Sequence, residues 1–551
     1  MSDKTSQISA PKARANRFDP WSAGAIVIAL LVLAPIFAVF WFALHPTDNI
    51  WPHLWRTTLP RYVWNTGLLM ICVGLGAAIV GTLTAWMVVM YRFPGRGWLQ
   101  WALLMPLAVP AYVGAYALVD FFEYAGPVQT GMRSLFGWTS AQDYWFPQIR
   151  TKGAAILVLS ASLYPYVYIL ARAAFREQSG ASFEVARALG AGPFARFWRV
   201  GLPLARPAIA AGVAVVMMET VNDFGTVDYF SVQTLTTGIF SVWLQGGNLG
   251  GAAQLASCVL IVVVLLVTLE KISRRKSRSY ANARSTRPVS ATTLRSTAAW
   301  ACSALCFAPI LIGFVMPALV LLGHALDAAH WVDPGLLRAL WHTVMVAGCA
   351  AVLTIAGGVF MVYGVRLSQR RIPALLMPVT AIGYAAPGAV LGLGILVPLA
   401  AFDNTLADWV FDATGYDPGL IFTGTAAALI IAYVVRFFAI AQGAADAALG
   451  RIGPSLPMAS RSLGKGAGAT LRYVHMPLMR ASIGSAMLLV FVDTVKELPA
   501  TLLLRPFNFE TLATRVHAKA SLENITDTAP AALLISAIGL IAVALLARAN
   551  R

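Results

Sequence analysis

Charged side chains are scarce in this sequence of 551 residues: Asp, Glu, Lys and Arg make up 12% of it, whereas the apolar set AVILMFWYC makes up 58%. A soluble globular domain carries about 25% charged residues, so this scarcity excludes an ordinary soluble enzyme. Acidic residues are the rarer kind, with 24 Asp and Glu against 41 Lys and Arg. In an apolar chain the excess of Lys and Arg indicates membrane topology rather than nucleic-acid binding, because cytoplasmic loops collect these residues.

Motifs for chemistry are also missing. The five cysteines all lie in apolar stretches, which excludes a secreted disulfide framework. No Gly-x4-Gly-Lys-Ser/Thr is present to hold a nucleotide phosphate, since Lys465 is followed by Gly466. The sequence also has no His/Cys cluster with zinc spacing. We therefore predict that the chain is not an enzyme, has no fixed metal site, and obtains energy from another subunit.

Twelve apolar runs of about 18 residues or more provide the length that a helix needs to cross a membrane. Lys and Arg concentrate in the amino-terminal tail and in the loops after the even-numbered runs, so the positive-inside rule places both termini in the cytoplasm. These features predict an all-α polytopic membrane protein. Its spans are expected near residues 22–44, 65–90, 99–121, 153–174, 207–227, 252–270, 299–323, 342–365, 374–401, 420–441, 480–500 and 530–548.

An internal repeat relates the two halves of the chain. The segment Glu184–Gly190 is separated by nine residues from Val200–Pro203. The same pattern recurs as Met458–Gly464 and Val474–Pro477, at an offset of 274 (464 minus 190). Each half holds six runs, an even number, so the copies share one orientation and are related by a pseudo-twofold axis along the membrane normal. The predicted organisation is a cytoplasmic tail (1–20), a first unit (21–270), a cytoplasmic linker (271–298) and a second unit (299–551).

The repeated loop occupies residues 176–206 in the first unit and 450–480 in the second, and it is expected to contain two short helices. Ser182 is the expected N-cap of the first helix, with Glu184 in its first turn near the positive helix end. Gly190 stands where a left-handed residue would end that helix. Pro193 suits the first position of the next helix.

The second short helix carries an apolar knob. Phe194, Phe197 and Trp198 are expected to share one helix face, since they are spaced i, i+3 and i+4. Pro203 is expected to end the loop and begin the fifth span. A stiff apolar knob with basic neighbours is typical of an element that docks on a partner protein. The alternative is an amphipathic helix that lies on lipid headgroups.

The loop resembles the signature loop of ABC importer permeases, Glu-Ala-Ala-x3-Gly-x9-Ile-x-Leu-Pro. It appears here as Glu184-Val-Ala-x3-Gly190-x9-Val200-x-Leu-Pro203. In the second copy Met458 replaces the acid, so only the first loop could offer a carboxylate to an ATPase. The resemblance implies that the ATPase-docking residues are Glu184, Ala186, Gly190, Phe194, Phe197, Trp198, Pro203, Ala459, Gly464, Leu471 and Pro477.

Two such units fused in one chain resemble the ferric-iron importer permeases, to which Asp223–Val227, Thr237–Phe240 and Lys496–Pro506 are also similar. The resemblance implies the type I ABC importer permease fold, two copies of an ATP-binding subunit with ATP and Mg bound there, and a periplasmic substrate-binding protein. It also implies a bacterial inner membrane location and no cofactor on this chain. Permeases for thiamine, phosphonate or polyamine are related alternatives, and an ion-coupled secondary transporter is a more distant one.

Two acidic pairs occur late in the fifth span of each half: Glu219 with Asp223, and Asp493 with Glu497. Residues four apart share one face of a helix, and carboxylates within membrane helices usually face a cavity or a pathway. Carboxylate oxygens suit hard cations, and conduction requires contacts weak enough to release the ion. The pairs are therefore predicted to line a translocation pathway. Alternatively, they pair structurally with nearby cations, Lys496 and Arg505.

Overall fold

The computed structural model describes residues 19–278, 290–295, 297–326, 331–368, 370–380, 383 and 386–549. In this part of the chain eleven helices are long and apolar enough to cross a membrane, and one helix pair bent by 92° could supply a twelfth crossing. The prediction of an all-α polytopic membrane protein is confirmed. In chain order the spans are Pro20–Leu44, Leu59–Met90, the bent pair Arg96–Ala108 and Ala111–Phe136, Lys152–Glu177, Pro193–Asn222, Leu249–Glu270, Thr297–His324, Pro334–Ser368, Gly388–Thr414, Ala426–Gly450, Ala467–Val495 and Ile525–Leu545.

Shorter helices connect the spans. They are Trp51–Thr57, Gly180–Ala188, Gly225–Tyr229, Leu235–Phe240, Arg371–Thr380, Ser455–Ser462, Pro499–Leu504 and Leu512–Ser521. Within the described residues the only strands are Tyr91–Arg92 and Thr292–Thr293, which pair in parallel. The predicted tail lies almost wholly outside the described residues. Of the predicted linker, residues 279–289 and 296 lie outside the described residues. The linker strand Thr292–Thr293 pairs with Tyr91–Arg92, directly after the second span.

Proline interrupts the third and ninth spans, which were wrongly expected to be continuous helices over 99–121 and 374–401. In the third span the helix stops at Ala108 and restarts at Ala111, because Pro110 forces Val109 into an extended conformation (φ −96°, ψ 120°). In the ninth, the long helix Gly388–Thr414 starts directly after Pro387. Both breaks leave the start of a helix inside the bundle.

The fifth and eleventh spans begin earlier than the predicted 207–227 and 480–500, because the second helix of each repeated loop continues into the span. The continuation passes through a π-helical turn, Phe197–Gly201 in the first unit and Leu471–His475 in the second. Pro203 therefore does not end the loop, contrary to the prediction. It lies in the first turn of the helix that follows, where its missing N–H costs nothing.

The first span of each half packs against the other half. Trp21 stacks on Phe360 of the eighth span, with ring centroids 5.0 Å apart. In the reverse direction, Ser303 of the seventh span donates a hydrogen bond to the carbonyl oxygen of Pro94 (2.7 Å). Gly313 lies where a β-carbon would approach the Ala161 carbonyl oxygen to 2.5 Å. The two units therefore exchange their first spans.

Equivalent hydrogen bonds confirm the internal repeat at atomic detail. The Thr66 hydroxyl accepts from the backbone N–H of Leu235 (3.0 Å), which begins a short helix after the fifth span. In the second half, the Thr343 hydroxyl accepts from the backbone N–H of Leu512 (2.8 Å). The two bonds are related by an offset of 277 (343 minus 66), so the repeat covers the second span as well as the loops.

Candidate docking loops and translocation cavity

The first helix of the first repeated loop starts earlier than predicted. It spans Gly180–Ala188, and the residue at the N-cap position is Ser179 rather than Ser182. Glu184 consequently lies in the middle of the helix, not in its first turn, and its side chain is exposed. The Glu184 carboxylate is thus presented to solvent, with Ala186 half-buried behind it.

A left-handed glycine ends the first helix in both loops, as predicted. Gly190 has φ +80° and Gly464 has φ +77°. The backbone N–H of Gly190 donates to Arg187 (3.0 Å), and that of Ala191 donates to Ala186 (2.9 Å), so the last carbonyl groups of the helix are satisfied. These turns fix the angle between the two short helices of each loop.

The apolar knob of the first loop contains two aromatic residues rather than three. Phe194 and Trp198 are exposed and stack with an interplanar angle of 8°. Phe197, at the start of the π-helical turn, is buried, and its ring packs edge-to-face against Trp86 with the ring centroids 5.1 Å apart. The expectation that all three residues share one exposed face is therefore wrong for Phe197, which anchors the loop to the second span. Pro193 occupies the first helical position, as predicted.

The second repeated loop is anchored by polar contacts. The hydroxyl groups of Ser460 and Thr470 share a buried hydrogen bond of 2.9 Å, and the Tyr363 hydroxyl donates to the Ala467 carbonyl oxygen at 2.8 Å. Lys465 lies 4.4 Å from the centre of the exposed Tyr473 ring. Of the predicted docking residues in this loop, those fully exposed are Ala459, Gly464 and Pro477, whereas Leu471 is half-buried.

The four predicted pathway carboxylates meet around one cavity of about 180 Å³, here called the acidic cavity. It lies where the fourth and fifth spans of the first half face the tenth and eleventh spans of the second half. The carboxylates that line the cavity are Glu219, Asp223, Asp493 and Glu497.

Asp223 and Glu497 do not share a helix face with their partners, contrary to the prediction. The fifth span ends at Asn222 and the eleventh at Val495. Each of the two carboxylates instead caps the short helix that follows. Asp223 accepts from the backbone N–H groups of Thr226 and Val227, both at 3.1 Å.

Glu497 caps its helix in the equivalent way. It accepts from the backbone N–H groups of Ala500 and Thr501, both at 3.2 Å. By contrast, within the described residues neither Glu219 nor Asp493 accepts a hydrogen bond or forms an ion pair, although both are half-buried and line the cavity. One carboxylate of each pair is therefore structural, and the other is available to a passing ligand.

Two cations balance part of this negative charge. Arg436 lies 3.7 Å from Glu497, and Lys496 also lines the cavity. Arg505, which the structural alternative named, is exposed. Arg436 was missed in the sequence, although an arginine within an otherwise apolar span is itself a signal of a functional or paired site.

Comparison with known proteins agrees with this geometry. Residues 71–279 match the family described as the binding-protein-dependent transport system inner membrane component. The chain is 25% identical over 488 residues to the Fe(3+)-transport system permease protein FbpB 2 of Haemophilus influenzae, covering 88% of each chain. By these matches the chain is similar to binding-protein-dependent transport permeases. The prediction that it is a transport subunit and not an enzyme agrees with them, since the relatives are transport permeases.

Two further relatives describe the range of this permease family. The putative ferric transport system permease protein FbpB 1 of Haemophilus influenzae is 24% identical over 513 residues, 87% of this chain and 76% of that relative. The molybdenum transport system permease protein ModB of Escherichia coli is 27% identical over 228 residues. That alignment covers 96% of the molybdenum permease but only 39% of this chain, as expected if this permease contains two units.

Proposed function

We propose that this permease forms the membrane pathway of a bacterial inner-membrane ABC importer for ferric iron. A periplasmic binding protein would deliver the iron, and two copies of an ATP-binding subunit would hold ATP and Mg and dock on the two repeated loops. Both termini would lie in the cytoplasm, and this chain would bind no cofactor of its own. The observation that carries the proposal is the similarity to a ferric permease over 88% of both chains.

The two loops support the docking part of the proposal. Both present a short helix, a left-handed glycine and a following helix that continues rigidly into a span, so a displacement of the loop would be passed to the bundle. Exposed apolar side chains occur at equivalent positions, with Leu189 81% exposed and Leu463 78% exposed. Apolar surface repeated at two equivalent cytoplasmic positions fits a partner with two equivalent clefts better than it fits lipid.

The acidic cavity supports transient passage of a hard cation. Glu219 and Asp493 offer oxygen atoms that no described group uses. In the described part of the chain, no group of three or more His, Cys, Asp or Glu side chains is arranged to hold a metal ion. Two opposed carboxylates would attract ferric iron without trapping it, as conduction requires.

A second candidate cargo is an oxyanion. Arg436 and Lys496 place two positive charges on the same cavity, and helices starting at Ala111 and Gly388 also begin beside it, where their N-terminal ends favour negative charge. A molybdenum permease is among the relatives. Arg436 also lies 3.7 Å from Glu497, so the cavity is less negative than its four carboxylates alone would make it.

Uptake by the reconstituted complex would separate the two cargoes. The chain is purified with its ATP-binding subunit, placed in liposomes, and supplied with its periplasmic binding protein, loaded with either radiolabelled ferric iron or radiolabelled molybdate. We expect ATP-dependent accumulation of iron, and two ATP-binding subunits per chain by native mass spectrometry. Uptake of molybdate without iron would replace the ferric assignment, and uptake without any ATPase would contradict the importer assignment.

A further inference from the structure

A second cavity, of about 480 Å³, lies between the acidic cavity and the docking loops. We call it the inner cavity. Its lining includes Arg172 and Arg176 near the loop end of the fourth span, and Ala542 of the twelfth. The acidic and inner cavities share four lining residues, here called the septum: Leu107, Tyr166, Asp493 and Lys496. A ligand leaving the acidic cavity toward the docking loops must pass the septum.

A hydrogen bond between the two units crosses the septum. The Lys496 ammonium donates to the carbonyl oxygen of Leu107 at 2.8 Å. Leu107 lies in the short turn Met105–Ala108, at the break of the third span, whereas Lys496 ends the eleventh span. Within the described residues Lys496 forms no ion pair, even though Asp493 is one helical turn away. Its positive charge is therefore held in the septum by a backbone carbonyl and is not neutralised by direct contact.

The charge in the septum belongs to one unit only. At the offset of 274, Asn222 corresponds to Lys496 (496 minus 274) and Ser162 to Arg436 (436 minus 274). The carboxylates, by contrast, occur in both units. Asn222 is 5% exposed, and its side-chain oxygen has no hydrogen-bond partner in the described part of the chain. The septum therefore carries one ammonium, from the second unit, whereas the equivalent position of the first unit places a neutral amide on the acidic cavity.

An acidic cavity that faces a membrane potential needs protection against leakage. Carboxylates concentrate small cations, and an inside-negative potential pulls those cations toward the cytoplasm. A fixed positive charge in the septum repels them, and the repulsion is strong because the surroundings have a low dielectric constant. Among the described residues, Lys496 is the only Lys or Arg that lines both cavities.

We propose that Lys496 is the cation-excluding gate of this pathway, held closed by its bond to Leu107. When the two units rotate relative to each other, the bond breaks, since its donor and acceptor belong to different units. The ammonium then turns back toward Asp493 and Glu219, whose carboxylates neutralise it. Opening of the septum and removal of the electrostatic barrier would thus be one movement. The inference rests on the proposed transport function only for this opening step.

The closed gate is tested by passive ion leakage. The permease with its ATP-binding subunit is placed in liposomes that hold a potassium diffusion potential, without ATP or binding protein, and the decay of the potential is followed with a voltage-sensitive dye. We expect K496Q to lose the potential at least about tenfold faster than wild type, because its barrier lacks one unit of charge. K496R, which keeps the charge, is expected to hold the potential. A K496Q complex as tight as wild type would overturn the proposal.

A double variant covers the case in which K496Q does not fold. N222K/K496N moves the ammonium to the equivalent position of the other unit and leaves the total charge of the cavity unchanged. We expect it to hold the potential, and rapid decay would overturn the proposal. A leak in K496R would also overturn it, since packing rather than charge would then close the septum. A complex that carries no iron would leave these readings unchanged, so failure of the ferric assignment is distinguishable.

Discussion

Asp223 and Glu497 occupy the same position in the two halves of the molecule, 274 residues apart (497 minus 223), and each caps the helix that follows a span. Asp223 accepts from Thr226 and Val227, both at 3.1 Å, and Glu497 accepts from Ala500 and Thr501, both at 3.2 Å. The caps fix the direction in which the chain turns at the acidic cavity. Within the described part of the chain, Glu219 and Asp493 are then the cavity carboxylates that accept no hydrogen bond and form no ion pair.

Loss of the two caps should lower stability unequally. We expect D223A to cost about 0.5–2 kcal/mol, the usual range for a lost N-cap. E497A should cost about 3–5 kcal/mol, because it also leaves the half-buried Arg436 without its carboxylate. Thermal unfolding of the detergent-solubilised protein would check the order of the two variants. Equal shifts, or a larger shift for D223A, would show that Arg436 does not depend on Glu497.

Substitution of Glu219 or Asp493, which cap no helix, should affect iron uptake more than stability. E219Q and D493N remove charge without removing a hydrogen bond, so we expect their thermal unfolding to stay within about 0.5 kcal/mol of wild type. Their ATP-dependent iron uptake should fall by about tenfold, which corresponds to about 1.4 kcal/mol of lost attraction. Full uptake in both variants would remove these residues from the pathway.

The left-handed glycines of the docking loops can be tested by their backbone conformation alone. A β-carbon at Gly190 or Gly464 would meet nothing within 4 Å, so the cost of G190V or G464V comes from the positive φ, at least about 1–2 kcal/mol. We expect either variant to insert normally but to lose coupling between ATP hydrolysis and uptake.

G190N is the matched control for these loop variants, because asparagine tolerates the left-handed region better than other side chains. It should retain most of the coupling. Uptake and ATP hydrolysis are measured on the same reconstituted samples. Unchanged coupling in both valine variants would show that the angle of the loop does not matter for docking.

Close backbone contacts hold the exchanged first spans, and glycines permit them. A β-carbon at Gly394 would collide with the carbonyl oxygen of Pro35, and one at Gly313 would collide with that of Ala161. We expect G394A and G313A each to cost about 1–3 kcal/mol. G484A, at a site in the eleventh span with open space around it, is the control. Thermal unfolding of the three variants provides the comparison, and equal midpoints would argue against the exchange.

Much of the architecture could be predicted from residue patterns. The apolar runs gave the number of spans, because length and hydropathy decide membrane insertion directly. The repeat was visible because polar residues such as Glu184 and Gly190 stand out from apolar surroundings. The left-handed Gly190 could be predicted because few residues other than glycine adopt that conformation readily. These signals are local and need no knowledge of packing.

The parts that could not be predicted depend on contacts between distant segments or on where a helix ends. Asp223 and Glu497 looked like members of an i, i+4 pair because nothing in the apolar run marked its end. Phe197 is buried because it packs against Trp86 of the second span, a contact between segments more than 100 residues apart that the loop sequence does not show. Lys496 could be placed in the septum only once Leu107, 389 positions away (496 minus 107), was known to accept its hydrogen bond.

Because the two units exchange their first spans, their covalent fusion has a structural consequence for assembly. Trp21 finds its aromatic partner in the second unit, and Ser303 finds its acceptor in the first. If the halves were separate polypeptides, each would carry a leading helix whose docking groove belongs to another molecule. Because both units belong to one polypeptide, the groove that receives each first span is always nearby, at the high local concentration that tethering provides.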